Sequence, residues 1–306
     1  MATLYGFISI VIWSTIVALS RRVTESLGPL NAAFYTFLFS GVVVFFIAWI
    51  KEKKCPLAHL KNLDLSYSIR VGFFFVLYMV LFYLAVGEVQ TRKGAILVGI
   101  INYLWPALIF IFALPILKSK ANYLLLFTGI LLCLASTLYI VLRFNPMHSS
   151  DYTGMIAQDW KPLVYVFIAA VSWAIYSNMT NKHKIEANHV YISVFFFVSS
   201  LAVLCIILMN GDFPYLTLDS TNVFELVYLI VFPSSTAYLF WDIAMKFGNK
   251  NLVVSVSFFI PISSTFVSSL YLNVNLELDF WIGAFFVAAG AMLCYKSMLI
   301  KGVKSL

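Results

Sequence analysis

Hydrophobic positions in this chain do not alternate finely with polar ones; they gather into long runs. Ten apolar runs can be placed, at about 4–20, 30–50, 69–87, 93–116, 122–142, 163–180, 189–209, 223–247, 251–272 and 279–298. Each approaches the roughly 20 apolar residues that a helix needs to cross a bilayer. The pattern predicts an all-α integral membrane protein with ten transmembrane helices. Polar or charged turns separate the runs, among them Arg21-Arg22 with Gly28-Pro29 and the stretches 51–62, 88–92, 118–122, 181–188, 210–221 and 248–251. The longest loops are expected at 51–68 and 143–162. The second is polar, holds two prolines and falls near the middle of the chain, so it reads as a linker between a first half, 1–142, and a second half, 163–306. The N-terminus lacks a basic leader and a small-residue cleavage pattern, so its apolar run is expected to be retained as the first helix.

Composition agrees. Of 306 residues, 62% are hydrophobic and 11% charged, and the mean hydropathy is +0.94. Soluble domains carry about 25% charged residues, so a soluble enzyme, a disordered chain and a fibrous repeat are excluded. The formal net charge is +7. The basic residues are spread over loop ends rather than gathered in a stripe, which gives no footprint for nucleic acid. With the N-terminus inside, the inner loops and C-terminal tail hold fourteen Lys and Arg and the outer loops six. The excess puts both termini in the cytoplasm, although Arg21-Arg22 votes the other way. Cys133, Cys205 and Cys294 lie in apolar runs and Cys55 in a Lys-rich loop. They read as small buried residues plus one loop thiol, with no disulfide framework.

An internal repeat adds most. Trp13 and Trp173 correspond in the first and sixth runs, Pro106 and Pro261 in the fourth and ninth, and Gly129 and Gly283 in the fifth and tenth. Five helices per half is an odd number, so the second half would enter the membrane from the opposite side. Two inverted five-helix repeats around a central cavity are the plan of alternating-access transporters.

No constellation for catalysis is visible. The four histidines lie in loops or at helix ends without Cys, Asp or Glu at ligand spacing, so no metal is expected. No phosphate-binding Gly loop or other cofactor motif appears. Asp242 is the acid deepest in an apolar run. A charge inside a bilayer costs at least ~2.5–3.5 kcal/mol on insertion scales, so it should face the bundle interior as a proton site or as partner of a substrate amine. Alternatively, it is hydrated near a helix end, with Lys246 following at i+4. Glu88 and Arg92, also at i, i+4, read as a surface pair.

Several aromatics sit inside apolar runs beside polar residues. Asn102 and Trp105 are at i, i+3, Trp173, Tyr176 and Ser177 at i, i+3, i+4, and Tyr238, Trp241 and Asp242 repeat that spacing. Each set shares one helix face. With Trp13 and Tyr103 they could wall a small-molecule cavity suited to planar ligands; tight helix packing is the alternative. Pro106 and Pro261, as matched helix breaks, point to hinges or a site. Gly283, Ala284, Ala288 and Gly290 make a small-residue stripe, suited to close helix packing or to a homodimer contact.

The segments IVIWSTIVALSRRVTESLGPLNAA, VGIINYLWPALIFIFA, IAAVSWAIYSNMTNKH and STAYLFWDIAMKFGNKNLVVSVSFFIPISS carry a resemblance. Across its whole length the chain resembles the drug/metabolite transporter superfamily, in its EamA-type branch. The closer likeness is to bacterial exporters of aromatic amino acids. The resemblance implies a basket of helices in the inner membrane, with lipid and a small-molecule substrate as its partners. Helices 1, 3, 4, 6, 8 and 9 would line the cavity, and helices 5 and 10 would lie at the back. It assigns the pathway to Tyr103, Trp105 and Trp173, and more loosely to Phe82, Tyr83, Ser257 and Phe258. It also implies a neutral side chain at the position of Asp242, from which this chain departs. Export of aromatic amino acids is thus expected, against carriage of another solute (a cationic drug, another amino acid or a nucleotide-like metabolite) or a non-transporting scaffold.

Overall fold

The structure is a computed structural model that describes residues 1–16, 23–24, 26–52, 63–89, 98–144, 150–183, 189–216, 220–272 and 278–299. All regular structure among them is helical. In chain order the helices are α1 (Ala2–Trp13), α2 (Pro29–Glu52), α3 (Leu65–Glu88), α4 (Trp105–Ile116, preceded by helical residues from Val98) and α5 (Tyr123–Phe144). Then come α6 (Ser150–His183), α7 (His189–Met209) and α8, whose parts Ser220–Leu229 and Ala237–Phe247 are joined by a π-helical stretch, Ile230–Thr236. Finally, α9 has the parts Lys250–Ser257 and Ile260–Leu272, and α10 is Leu278–Ser297. Among the described residues, each predicted run overlaps one of these. Eight are long and apolar enough to cross a membrane, or nine with α9 counted as one bent span, while α1 is a shorter apolar helix. The Arg21-Arg22 turn, Cys55, His59, His148 and Arg92 lie outside the described residues.

One expectation fails. Residues 150–162, predicted to lie in a linker loop, are helical and form the start of α6. The backbone leaves helical geometry only at Asp159 (φ −106°, ψ 16°). Pro162 follows within one turn of that break, where its missing N–H costs no hydrogen bond. A proline in a polar stretch was compatible with a helix restart as well as with a loop.

Both hinge candidates occupy the same kind of place. Residues 103–104 and 258–259 are turns, closed by short backbone bonds from Leu104 N–H to Ile101 O and from Phe259 N–H to Val256 O. Pro106 and Pro261 are each the second residue of the helix that resumes. They therefore mark helix starts rather than interior kinks. The two parts of α9 bend by 46°.

Packing joins helices far apart in sequence. The most extensive contacts are α5 with α10, α2 with α7, α3 with α6, and α1 with Ala237–Phe247 of α8; α4 also packs on α6 and α1 on α9. At the α5–α10 seam the backbones nearly touch. A Cβ on Gly129 would stand 2.8 Å from the Cys294 nitrogen, and one on Gly290 would stand 2.8 Å from the Gly129 oxygen. Gly129 thus lies opposite Gly290, while Gly283 packs on Ile140. Both stripe glycines are used in packing within the chain. Cys133 and Cys294 are buried at this seam, but Cys205 is exposed on α7 rather than buried. Outward faces carry large apolar side chains such as Leu124, Leu131, Phe285 and Met292, as a lipid-facing surface requires.

The start of α1 and the end of α10 lie on one side of the bundle. The Asn249 N–H donates to Thr3 Oγ1 (2.9 Å), the Asn249 side chain meets the Tyr295 hydroxyl (3.3 Å), and Asn122 N–H donates to Ser297 O (2.9 Å). This is called the N-terminal side below.

Replacing Gly290 with valine should force α5 and α10 apart. Overpacking of this kind costs about 1–3 kcal/mol. Thermal unfolding in detergent should show a lowered midpoint, and an unchanged one would mean that the seam is looser than described.

Candidate functional site

The centre of the bundle is an aromatic cluster built from five helices, α1, α3, α4, α6 and α8. Trp13 closes α1. Its ring centroid lies 5.8 Å from that of Trp173 on α6, 5.2 Å from Tyr238 and 5.3 Å from Trp241 on α8, and 6.4 Å from Trp105 at the start of α4. Trp173 in turn lies 4.9 Å from Tyr78 on α3, 5.3 Å from Tyr238 and 5.1 Å from Tyr176. Most of these pairs are tilted or edge-to-face, as ring quadrupoles favour.

The π-helical stretch positions α8 here. Pro233 has no N–H to continue an α-helical ladder. Ser235 and Thr236 return their hydroxyls to Ile230 O and Val231 O (both 2.7 Å), and Ser40 of α2 also donates to Ile230 O. The Pro233 carbonyl accepts the indole N–H of Trp13 at 3.1 Å. Insertions of this type concentrate at functional sites. The sequence reading missed this feature; its signal was the run Pro233-Ser234-Ser235-Thr236 inside an apolar stretch.

Beside the cluster lies a cavity of about 300 Å³. Eight predicted site residues line it: Trp13, Phe82, Tyr83, Asn102, Tyr103, Trp105, Trp173 and Tyr238. The prediction missed Tyr78, Thr36, Phe37, Met79 and Ser234, which also line it. Tyr78 was readable, since it precedes Phe82 by one turn and Tyr238 by 160 positions. No described lining residue carries a charge. The lining reaches Val23, Thr24, Val86 and Val98, at helix ends opposite the N-terminal side. A second concavity, about 470 Å³, lies between the end of α3 and the break in α6, beside Glu88, Trp160 and Lys161, and none of the predicted substrate residues borders it.

The remaining predicted residues stand behind the wall. Tyr176, Trp241, Asp242, Ser257 and Phe258 are buried and do not line the cavity, nor do Pro106 and Pro261. Trp241 packs against Trp13, Trp105 and Trp173 and donates its indole N–H to Ser177 Oγ (3.1 Å). Ser257 bonds back to Val253 O and Val254 O. Asp242 is neither hydrated at a helix end nor open to the cavity. Its Oδ2 accepts from Lys246 Nζ at 2.7 Å, its Oδ1 accepts from the Tyr176 hydroxyl at 3.3 Å, and the Asp and Lys are only 5% and 3% exposed. Lys246 also sits 5.9 Å from the ring centroid of Tyr67.

Tight packing continues from this pair to the N-terminal side. Gly6 stands against Val253 and Ala244, Gly72 against the Phe195 ring, and Ser9 Oγ donates to Ala237 O (2.9 Å). The cavity is thus shut toward the end that carries residue 1. No group of three or more potential metal ligands occurs among the described residues.

Comparison with known proteins identifies the family. The model of the EamA-like transporter family matches residues 1–142 and 160–296. The chain is 31% identical over 296 residues to a protein of Escherichia coli strain K12 named aromatic amino acid exporter YddG, covering 96% of each chain. It is 29% identical to the protein of that name in Salmonella typhimurium, again over 96% of each, and 26% identical to the one in Ancylobacter novellus, over 86% of each. One crystal structure superposes with a TM-score of 0.79 at 21% identity, covering 96% of both chains, and so shares the fold. The family match over both halves, together with the apolar helices and the central cavity, makes this chain a multi-pass membrane protein of the EamA-like transporter family.

Proposed function

We propose that this protein exports amino acids, chiefly Phe, Tyr and Trp, across the bacterial inner membrane by alternating access, with the substrate held in the central cavity. The observation that carries this reading is the cavity itself: aromatic walls, no charged lining side chain among the described residues, and about 300 Å³. That volume is at the small end of the roughly 300–1,000 Å³ typical of small-molecule pockets, so it suits an amino acid better than a drug-sized ligand. The lack of charge argues against a cationic drug. Trp105, Trp173 and Tyr103 would stack on the side chain, and Asn102 would hydrogen-bond the amine or carboxylate. The names of the relatives point to the same substrates.

Two inverted five-helix repeats would supply the movement. Trp13 and Trp173, in contact, are 160 positions apart, and so are Tyr78 and Tyr238. Exchanging the halves maps α3 with α6 onto α8 with α1, and leaves α2 with α7 and α5 with α10 as self-matched pairs, which are the most extensive contacts observed. The two stretches matched by the family model divide the chain in the same place. The Lys and Arg excess on the N-terminal side makes that side cytoplasmic.

Counterflow in proteoliposomes tests the substrate. Vesicles preloaded with unlabelled Phe should take up labelled Phe, Tyr and Trp. Trp105→Ala and Trp173→Ala should each lower that uptake by about tenfold or more, as the loss of a hot-spot aromatic of ~2 kcal/mol implies. Exchange of lysine or of a cation only would discard the proposed substrate. Orientation has its own check. A Lys120→Cys variant should react with an impermeant maleimide in inverted vesicles and not in spheroplasts; the reverse result would turn the protein over.

A further inference from the structure

The buried Asp242–Lys246 pair has no role in the cavity just described, yet it stands where a charged pair is costly. The proposed repeat gives its counterparts in the first half of the chain. Phe82, Val86 and Ile16 line the cavity, and 160 positions later come Asp242, Lys246 and Tyr176. The open side and the closed side therefore carry matching positions with different chemistry: apolar on one, an acid, a base and a phenol on the other. In the proposed alternating access, where the halves exchange conformations, the second set would line the cavity as the first does here.

We infer that Asp242 and Lys246 are a binding site for the charged end of an α-amino acid in the state open to the N-terminal side; this rests on the proposed transport of amino acids. In the closed state the two side chains neutralise each other at 2.7 Å. The Tyr176 hydroxyl donates to Asp242, and the Tyr67 ring lies beside Lys246. Separating them strands two charges in a poorly hydrated interior. A zwitterion replaces both partners at once. Its ammonium pairs with Asp242 and its carboxylate with Lys246. An amine alone leaves Lys246 unpaired, and a carboxylate alone leaves Asp242 unpaired. The i, i+4 spacing keeps both groups on one helix face, within reach of the two charged groups on a single α-carbon. The pair thus serves as a latch whose release is selective for molecules with both charges.

A thiol reporter reads this directly. Thr180, buried one turn along α6 from Tyr176, is replaced by cysteine, and an impermeant maleimide is applied from the N-terminal side of oriented proteoliposomes. Labelling is followed at that site by mass spectrometry, because Cys205 is also exposed. Saturating Phe should raise the labelling rate of the Thr180→Cys variant at least fivefold, whereas phenethylamine and 3-phenylpropanoate should not. Adding Lys246→Met should give fast labelling without ligand and abolish the response to Phe. The double change Asp242→Asn with Lys246→Met, checked for monodispersity, should also lose the response. Equal effects of all three ligands, or a Phe response that survives Lys246→Met, would overturn the inference. A Val86→Cys variant on the other side separates the two readings. If Phe fails to protect it, the aromatic substrate is wrong, and the pair is then judged in the same way with leucine, isopentylamine and 4-methylpentanoate. No difference among those would also overturn it.

Discussion

The contact between Trp13 and the carbonyl of Pro233 holds the centre of this molecule together. Within a bilayer a free carbonyl has no water to turn to, and the π-helical stretch of α8 leaves one exposed. The indole of Trp13 satisfies it at 3.1 Å and at the same time supplies the ring on which Trp173, Tyr238 and Trp241 pack. One residue at the end of a twelve-residue helix thereby ties α1 to α6 and α8. The cavity wall exists because these three helices are fixed to one another through it.

Two layers follow from that arrangement. The inner layer, with Trp173 and Tyr238, faces the cavity. The outer layer, with Tyr176, Trp241 and Ser177, faces away and hands over to the Asp242–Lys246 pair. Residues one helical turn apart thus serve different surfaces. This explains why the i, i+3, i+4 sets chosen from the sequence split in three dimensions: helix spacing reports a shared face, but not how much of that face a cavity takes.

Much of this was legible in the sequence. Long apolar runs fixed the helices because lipid admits no other regular structure for such segments. The matched tryptophans at 13 and 173 pointed to the centre because large rings beside small and polar residues do not suit a lipid-facing surface. Other features were hidden. The π-helical stretch depends on side-chain hydroxyls replacing backbone donors, which no periodicity records. The helix at 150–162 was masked by Pro162, a residue that starts helices as readily as it ends them. The burial of Asp242 depended on Lys246, whose place at i+4 suited an exposed pair equally well. Gly129 meets Gly290 across the seam, whereas its repeat counterpart Gly283 packs on Ile140, since sequence correspondence gives helix equivalence but not register across a packed seam.

The seam between α5 and α10 has a mechanical consequence. With Gly129 and Gly290 bringing main chain against main chain, the two helices have no side-chain layer to shear at that point. Sliding would run Cys133 and Cys294 into the facing backbone. For the proposed alternating access, so close a seam leaves rotation about its own line as the available motion. Displacement then grows with distance from that line, so a few degrees at the seam become the largest movement in the helices farthest from it.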